Sequence, residues 1–259
     1  RYTAALLLTV FGTGLVCDVL ALTIRSRRVR RVLGSIRVAL PDLMSLFLPQ
    51  RTADVLPRAP LGPVPQQGTE EFELLFQTSA HGIGLVGHCE LCFDGRTLTY
   101  GAYDPAHQRL LRTAGAGIVF SAPREPYLRW CIGTHHRRVI SYSLCLPPAQ
   151  AAQLRAELER FRQTLSPWQP EALPEDCFAG RLRRLGGVRF WRVQRGPYAT
   201  YFIPTINCVS LTNELLEKTD IGRTVMLGLK TPGAYLDLLE REYLAGNPAV
   251  TARRVYDRI

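Results

Sequence analysis

One stretch, residues 201–216 with the sequence YFIPTINCVSLTNELL, limits most strongly what this chain can fold into. An aromatic run ends at Pro204, and apolar residues with helical spacing follow, with Thr205 and Asn207 as candidate N-caps. Cys208 then lies in the first turn of a buried helix, where unpaired backbone N–H groups and the helix dipole stabilise a thiolate. The stretch therefore predicts either a nucleophilic thiol or a small buried core cysteine.

A nucleophilic cysteine needs a nearby base, and histidine is the most common one. The chain has five histidines, namely His81, His88, His107, His135 and His136. His107 lies in a polar turn, and the last two lie beside arginines, which predicts solvated rings. His81 and His88 would face opposite sides of one strand, so at most one of them points at the cysteine. Because Gly87 lets another backbone approach closely, we favour His88.

A third polar group should hold the imidazole in the tautomer that accepts a proton. An Asp-Gly pair at 94–95 predicts a hairpin after the His88 strand, and the returning strand carries Tyr100. Asp104 follows shortly after it and is the alternative. We therefore expect Tyr100 or Asp104 to complete the cysteine–histidine pair.

The order of these motifs resembles a known family. A Gly-His pair opens a strand at 87–88, a Tyr-Gly-Ala-Tyr-Asp stretch lies at 100–104, and a Pro-Ala-Gln helix start lies at 148–150, before Asn-Cys at 207–208. Over about residues 79–216 the chain resembles the circularly permuted branch of papain-like thiol enzymes. That branch includes the Lnb N-terminal periplasmic family, permuted NlpC-type hydrolases and the relatives of lecithin retinol acyltransferase. In the permuted order the histidine precedes the cysteine, as it does here.

The resemblance implies an α+β domain in which a small antiparallel sheet packs against a helix that carries the cysteine. It implies that Cys208 is the nucleophile and His88 the base, and that Tyr100 fills a position where many relatives have His, Asn or Gln. It also implies acyl transfer through a thioester, first on amide bonds of peptides or peptidoglycan and second on lipid acyl groups. We expect no cofactor and no metal. The alternative is a non-catalytic, membrane-anchored interaction module in which Cys208 and His88 are core residues.

Hydrophobic periodicity predicts the other elements of the domain. Strands are expected at 83–93, 97–103, 115–121, 139–146 and 188–193. Helices are expected at 147–165, from residue 208 onward and at 234–244, with a loop at 169–187. Residues 70–75 predict a short helix or an edge strand.

The N-terminal part of the chain has a different character. Residues 2–24 form an apolar run of about membrane-spanning length, interrupted by Asp18. An arginine-rich run at 25–31 and a second apolar segment at 32–48 follow, which is typical of a membrane flank and of a poor span or interfacial helix. We therefore expect residues 1–48 to be helical and to associate with a membrane.

Five prolines within residues 49–67 predict an extended linker, which leaves residues 68–259 for the papain-like domain. If the segment at 32–48 crosses the bilayer, the domain faces a periplasm-like compartment. If the segment lies flat, the domain is cytoplasmic. We expect the first arrangement, with the domain on the periplasmic side of a bacterial inner membrane.

The net charge of +10 does not predict a nucleic-acid partner. Almost every basic residue is an arginine, since Lys218 and Lys230 are the only lysines, and the arginines are dispersed apart from the run at 25–31. No motif of an established nucleic-acid-binding fold is present to use them.

The pattern Cys89-x-x-Cys92 is an alternative signal, for a zinc site that His88 and Cys177 would complete. On a strand, however, residues three apart point to opposite faces, so one metal ion cannot easily bind both thiolates. Glu90, between the two cysteines, is interpreted as an exposed charge at a sheet edge.

Overall fold

The computed structural model describes residues 71–78, 87–109, 114–169, 173–203, 205–219, 221 and 231–257. The predicted membrane-associated segment and the proline-rich linker lie outside these residues. Within the described part of the chain, no helix has both the length and the apolar character that crossing a bilayer requires.

The strands of the described residues form one large sheet and one small one. They are β1 Glu71–Thr78, β2 His88–Phe93, β3 Arg96–Gly101, β4 Ala114–Ala116, β5 Ile118–Pro123, β6 Arg138–Cys145, β7 Leu165–Pro167, β8 Arg189–Val193, β9 Thr200–Phe202 and β10 Val250–Tyr256. The large sheet has the order β10-β6-β1-β2-β3-β5-β8-β7, and β4 pairs with β9 separately. Every pairing between these strands is antiparallel.

Helices cover both faces of the large sheet. They are α1 Arg124–Gly133, α2 Pro148–Arg162, α3 Phe178–Arg183, α4 Cys208–Leu216 and α5 Pro232–Leu244. The buried residues of α2, α4 and α5 share one hydrophobic cluster, and those of α1 and α3 share the other. The predicted α+β architecture with antiparallel strands is confirmed, but the sheet has eight strands and is not small.

The strand β1 corrects the prediction of a short helix or edge strand for this part of the chain. It lies between β6 and β2, in the middle of the sheet. Phe72, Leu74 and Phe76 are at most 1% exposed and join the cluster under α4. Glu73 and Gln77 are also buried, which hides the strand from a sequence pattern that looks for alternation of apolar and exposed residues.

The predicted Asp-Gly hairpin between β2 and β3 is confirmed. Asp94 has φ 49° and Gly95 has φ 69°, so both lie in the left-handed region that a type I′ turn needs. The paired residues run from this turn to Leu91 and Leu98. The pairing of β2 with β3 therefore stops at Leu91, two residues before it would reach Cys89 near the start of β2.

Some elements are missing from the sequence-based prediction. It includes neither α1 nor β10, and it places a loop where α3 lies. The predicted helices at 147–165 and 234–244 are confirmed as α2 and α5, and the predicted helix from residue 208 is α4.

Candidate active site

The helix α4 begins at Cys208, as the sequence predicts, and Asn207 is its N-cap. Asn207 Oδ1 accepts the Ser210 N–H at 3.0 Å, and Ser210 Oγ accepts the Asn207 N–H at 2.8 Å. Asn207 Nδ2 also donates to the Ile203 carbonyl at 2.7 Å, which ties the helix start to the preceding loop. This reciprocal capping box fixes where the first helical residue lies. It therefore fixes the position of the Cys208 sulfur.

The sulfur of Cys208 lies against the backbone of β2. Its Sγ accepts the N–H of Cys89 at 3.4 Å, beyond the last residue pair of β2 and β3. Burial, and then the nearby thiol of Cys208, raise the pKa of the Tyr201 hydroxyl. Cys208 is only 3% exposed, and this burial raises the pKa of its thiol to about 11, although the N–H groups of Cys89 and Val209 act in the opposite direction. The thiol is therefore protonated at neutral pH.

His88 is the first residue of β2 and follows Gly87, whose φ of 77° favours glycine. The Nε2 atom of His88 lies 3.0 Å from the Tyr103 hydroxyl and 3.9 Å from Glu90 Oε1. Burial, with a smaller contribution from the Arg137 guanidinium, lowers the pKa of His88 to about 3. The imidazole is therefore neutral at physiological pH and can accept a proton.

The side chain of His88 and the helix that carries Cys208 lie on different sides of β2. Glu90, on the same side of the strand as His88, accepts a hydrogen bond from Tyr127 of α1. Cys89 points the other way, with its Sγ 4.0 Å from Thr212 Oγ1 of α4. The Cys208 sulfur thus meets β2 at the residue next to His88, at the open end of the β2–β3 ladder. Direct pairing of this sulfur with the His88 ring stays a prediction.

The structure gives Tyr100 and Asp104 partners other than His88. The Tyr100 hydroxyl donates to the carbonyls of Tyr198 and Thr200, at 2.9 and 3.2 Å. It therefore joins β3 to the 3-10 turn before β9 and to the first residue of β9. Asp104 caps the 3-10 turn Pro105–His107, and its Oδ2 also pairs with Arg192. Asp104 Oδ2 lies 2.7 Å from His107 Nδ1.

Tyr103 is the neighbour of His88 that the sequence analysis missed. Its ring stacks on Phe178 and packs edge-to-face against Phe120, and both contacts hold the hydroxyl at the imidazole. The alternation of side chains along β3 indicates this position. Thr97 and Thr99 lie on the same side of the sheet as His88, and the same alternation, continued past the end of the strand, puts residue 103 on that side. The prediction started from Tyr100, which belongs to the opposite phase.

Glu90 also differs from its prediction. It is 1% exposed and accepts hydrogen bonds from Gln77 and Tyr127, so it is not an exposed edge charge. The strand β2 lies inside the sheet, between β1 and β3, and this explains the burial. Burial raises the pKa of Glu90 to about 7.

The alternative of a zinc site finds no support among the described residues. Cys89 joins the cluster under α4, Cys92 joins the one under α1, and Cys177 caps α3. No group of three or more His, Cys, Asp or Glu side chains in this part of the chain is arranged to bind a metal ion.

Comparison of the chain with protein-family models, with curated proteins and with solved structures found no match. The function must therefore be inferred from the geometry of the site.

The two tyrosines provide a direct comparison by mutation. Tyr103→Phe removes one hydrogen bond to His88, so under the hypothesis that His88 is the base of a thiol enzyme we expect turnover to fall by about 5- to 10-fold, equivalent to ~1 kcal/mol. Tyr100→Phe should instead lower the free energy of unfolding by ~1–3 kcal/mol, because the buried carbonyl of Tyr198 and the part-buried carbonyl of Thr200 lose a donor, and leave turnover per folded molecule unchanged. Urea unfolding and rates normalised to folded protein would test this. Equal effects of the two variants on turnover would contradict the assignment.

Proposed function

We propose that this domain is a thiol hydrolase or acyltransferase, with Cys208 as the nucleophile and His88 as the base. The observation that carries the proposal is the position of the Cys208 sulfur. It lies at a capped helix start and accepts the backbone N–H of Cys89, the residue that follows His88 in β2. A nucleophilic cysteine needs such a combination of fixed N–H donors and a nearby base.

The proposed reaction passes through a thioester. The step requires the imidazole of His88 to reach the sulfur from its own side of β2, and Nδ1 then takes the thiol proton, because Nε2 is held by Tyr103. The sulfur of Cys208 then bonds to the substrate carbonyl carbon, and the backbone N–H of Cys208 helps to stabilise the oxygen that becomes negative. The leaving group departs with the proton from His88, and water or another acceptor breaks the S–C bond.

The proton transfer should accompany the attack and not precede it. With a thiol pKa of about 11 and an imidazole pKa of about 3, a thiolate–imidazolium pair is unfavourable in the resting site. His88 would therefore act as a general base while the S–C bond forms. We expect amide bonds of peptides or peptidoglycan as the substrate, and lipid acyl groups as the alternative if residues 2–48 anchor the domain to a membrane.

A specific observation favours a second candidate, the non-catalytic module. Cys208 is 3% exposed and its pKa is raised, as for an inert core thiol. In that case Cys208 packs between β2 and α4, and His88 is a structural residue bonded to Tyr103.

Trapping of the acyl-enzyme distinguishes these possibilities. The chain would be incubated separately with an activated ester of an N-acyl dipeptide and with one of a long-chain fatty acid, and then examined by intact-mass spectrometry and peptide mapping. We expect one peptidyl adduct on Cys208 that hydroxylamine removes. A fatty-acyl adduct alone would assign the lipid substrate. Adducts confined to the half-buried thiols of Cys145 and Cys177 would support the non-catalytic module.

A further inference from the structure

A buried carboxylic acid lies beside the imidazole of His88. Glu90 is 1% exposed, and its Oε1 lies 3.9 Å from His88 Nε2. The same oxygen accepts hydrogen bonds from Gln77 Nε2 at 2.7 Å and from the Tyr127 hydroxyl at 2.6 Å. Two donors therefore fix this oxygen close to the ring nitrogen.

The other carboxyl oxygen has no such support. Among the described residues, Glu90 Oε2 has no hydrogen-bond partner of good geometry, although the Thr99 hydroxyl is near enough to lower the pKa of the acid. Arg137 stabilises the anion from a distance, and its Nη1 also donates to Gln77 Oε1 at 2.6 Å. The carboxyl group of Glu90 is therefore held in place by one oxygen, and its hydrogen bonds allow both the protonated and the ionised form.

Several titratable groups interact with Glu90. They are Tyr127 and Cys131 on α1, Tyr103 after β3, Arg137 before β6, Cys208 on α4, and His88, Cys89 and Cys92 on β2 itself. The pKa values of the tyrosines and cysteines in this set are raised by burial, so these groups are neutral near pH 7. Glu90 is therefore the member whose charge changes in that range.

We propose that Glu90 is the positioning residue that sets the tautomer and basicity of His88, and this inference rests on the proposed function. An ionised Glu90 attracts the proton of His88 to Nε2, the atom that faces Tyr103, and leaves Nδ1 bare to accept the proton of Cys208. When that proton arrives, the positive charge on the ring is stabilised by the carboxylate. No proton passes to Glu90 during the step: the imidazolium carries the positive charge, the substrate oxygen takes the negative charge as the S–C bond forms, and Glu90 stays a carboxylate.

The charge of Glu90 depends on pH in the physiological range. Burial raises the pKa of Glu90 from its ordinary value to about 7. Below that pH the acid is protonated and gives His88 little electrostatic support, and above it the carboxylate is present. Turnover should therefore increase as the pH rises through about 7.

The variant Glu90→Gln, which keeps the shape of the side chain, tests this proposal, with Glu159→Gln on α2, whose side chain is 62% exposed, as the matched control. At pH 8 we expect turnover of Glu90→Gln to fall by about 10- to 100-fold, because a charge about 4 Å from the imidazolium is lost. The rise of turnover near pH 7 should also disappear. The control should keep the rate and the pH profile of the unchanged chain. An unaltered profile in Glu90→Gln, with turnover intact, would overturn the proposal and leave the proposed function standing.

A measurement that does not depend on turnover separates the role of Glu90 from the proposed function. The ¹⁵N shifts of the His88 ring identify its protonated nitrogen. In the unchanged chain we expect Nε2–H above pH 8 and a change in these shifts near pH 7, which Glu90→Gln should lack. If this pattern is found in a chain that shows no turnover, the role of Glu90 stands and the proposed function fails. A proton on Nδ1 at pH 8, or the same pH response in Glu90→Gln, would overturn the proposal whatever the activity.

Discussion

Replacing Cys208 with alanine is expected to lower turnover by at least about a thousandfold, because the covalent route loses its nucleophile. The variant should still fold, since a buried thiol is replaced by a smaller apolar side chain and the capping box of Asn207 and Ser210 uses none of its atoms. Cys208→Ser keeps the size of the side chain and should be similarly inactive. Steady-state rates of both variants would check the loss of turnover, and circular dichroism would check that they fold.

The matched control for this experiment is Cys131→Ala. Cys131 is buried too, at 1% exposed, but it lies on α1 in the other hydrophobic cluster. Its removal should change the free energy of unfolding slightly and leave turnover close to that of the unchanged chain. If Cys208→Ala retained full turnover, Cys208 would not be the nucleophile. If Cys131→Ala lost turnover to the same extent, the loss would reflect general damage to the core.

The second large effect is expected on stability, at the ion pair that attaches α1 to the sheet. Arg124 Nε and Nη2 donate to Glu73 at 2.5 and 2.7 Å, and the two side chains are 8% and 7% exposed. The Tyr256 hydroxyl lies 3.1 Å from Arg124, and Ser141 donates to Glu73. Arg124→Met leaves the buried carboxylate without its main partner, so we expect the free energy of unfolding to fall by ~3–5 kcal/mol. Urea unfolding would measure this change.

A surface ion pair provides the control for this prediction, and a double variant tests its cause. Arg184→Met breaks a surface pair with Glu175, whose side chains are 62% and 88% exposed, and should cost at most ~1 kcal/mol. Arg124→Met combined with Glu73→Leu should recover most of the loss, because no buried charge remains. A loss below ~1 kcal/mol in Arg124→Met alone would show that the pair contributes little to stability.

Local signals in the sequence predict much of the scaffold of the site. The Asp-Gly pair at 94–95 predicts the hairpin, because few other residues adopt two successive positive φ angles. Asn207 before Cys208 predicts the helix start, because a side-chain acceptor can satisfy its free N–H groups. Both signals depend on residues within a few positions of each other, and both are confirmed.

The polar core could not be predicted in the same way. Glu73 meets Arg124 51 residues later, and Gln77 meets Glu90 and Tyr127. A polar residue in a buried strand looks like an exposed one until its distant partner is known, so the sequence predicts a short helix or an edge strand where β1 lies. The helix α1 has the sequence REPYLRWCIG, with a proline inside and arginines among its apolar residues, which is not an amphipathic pattern.

The central claim is that the thiol of Cys208 and the imidazole of His88 act together on a carbonyl group. A crystal structure of the chain with a bound peptide aldehyde tests it most directly. We predict a covalent bond from Cys208 Sγ to the aldehyde carbon, with Nδ1 of His88 within about 4 Å of the sulfur. An unmodified sulfur, separated from the His88 ring by packed side chains, would contradict the account.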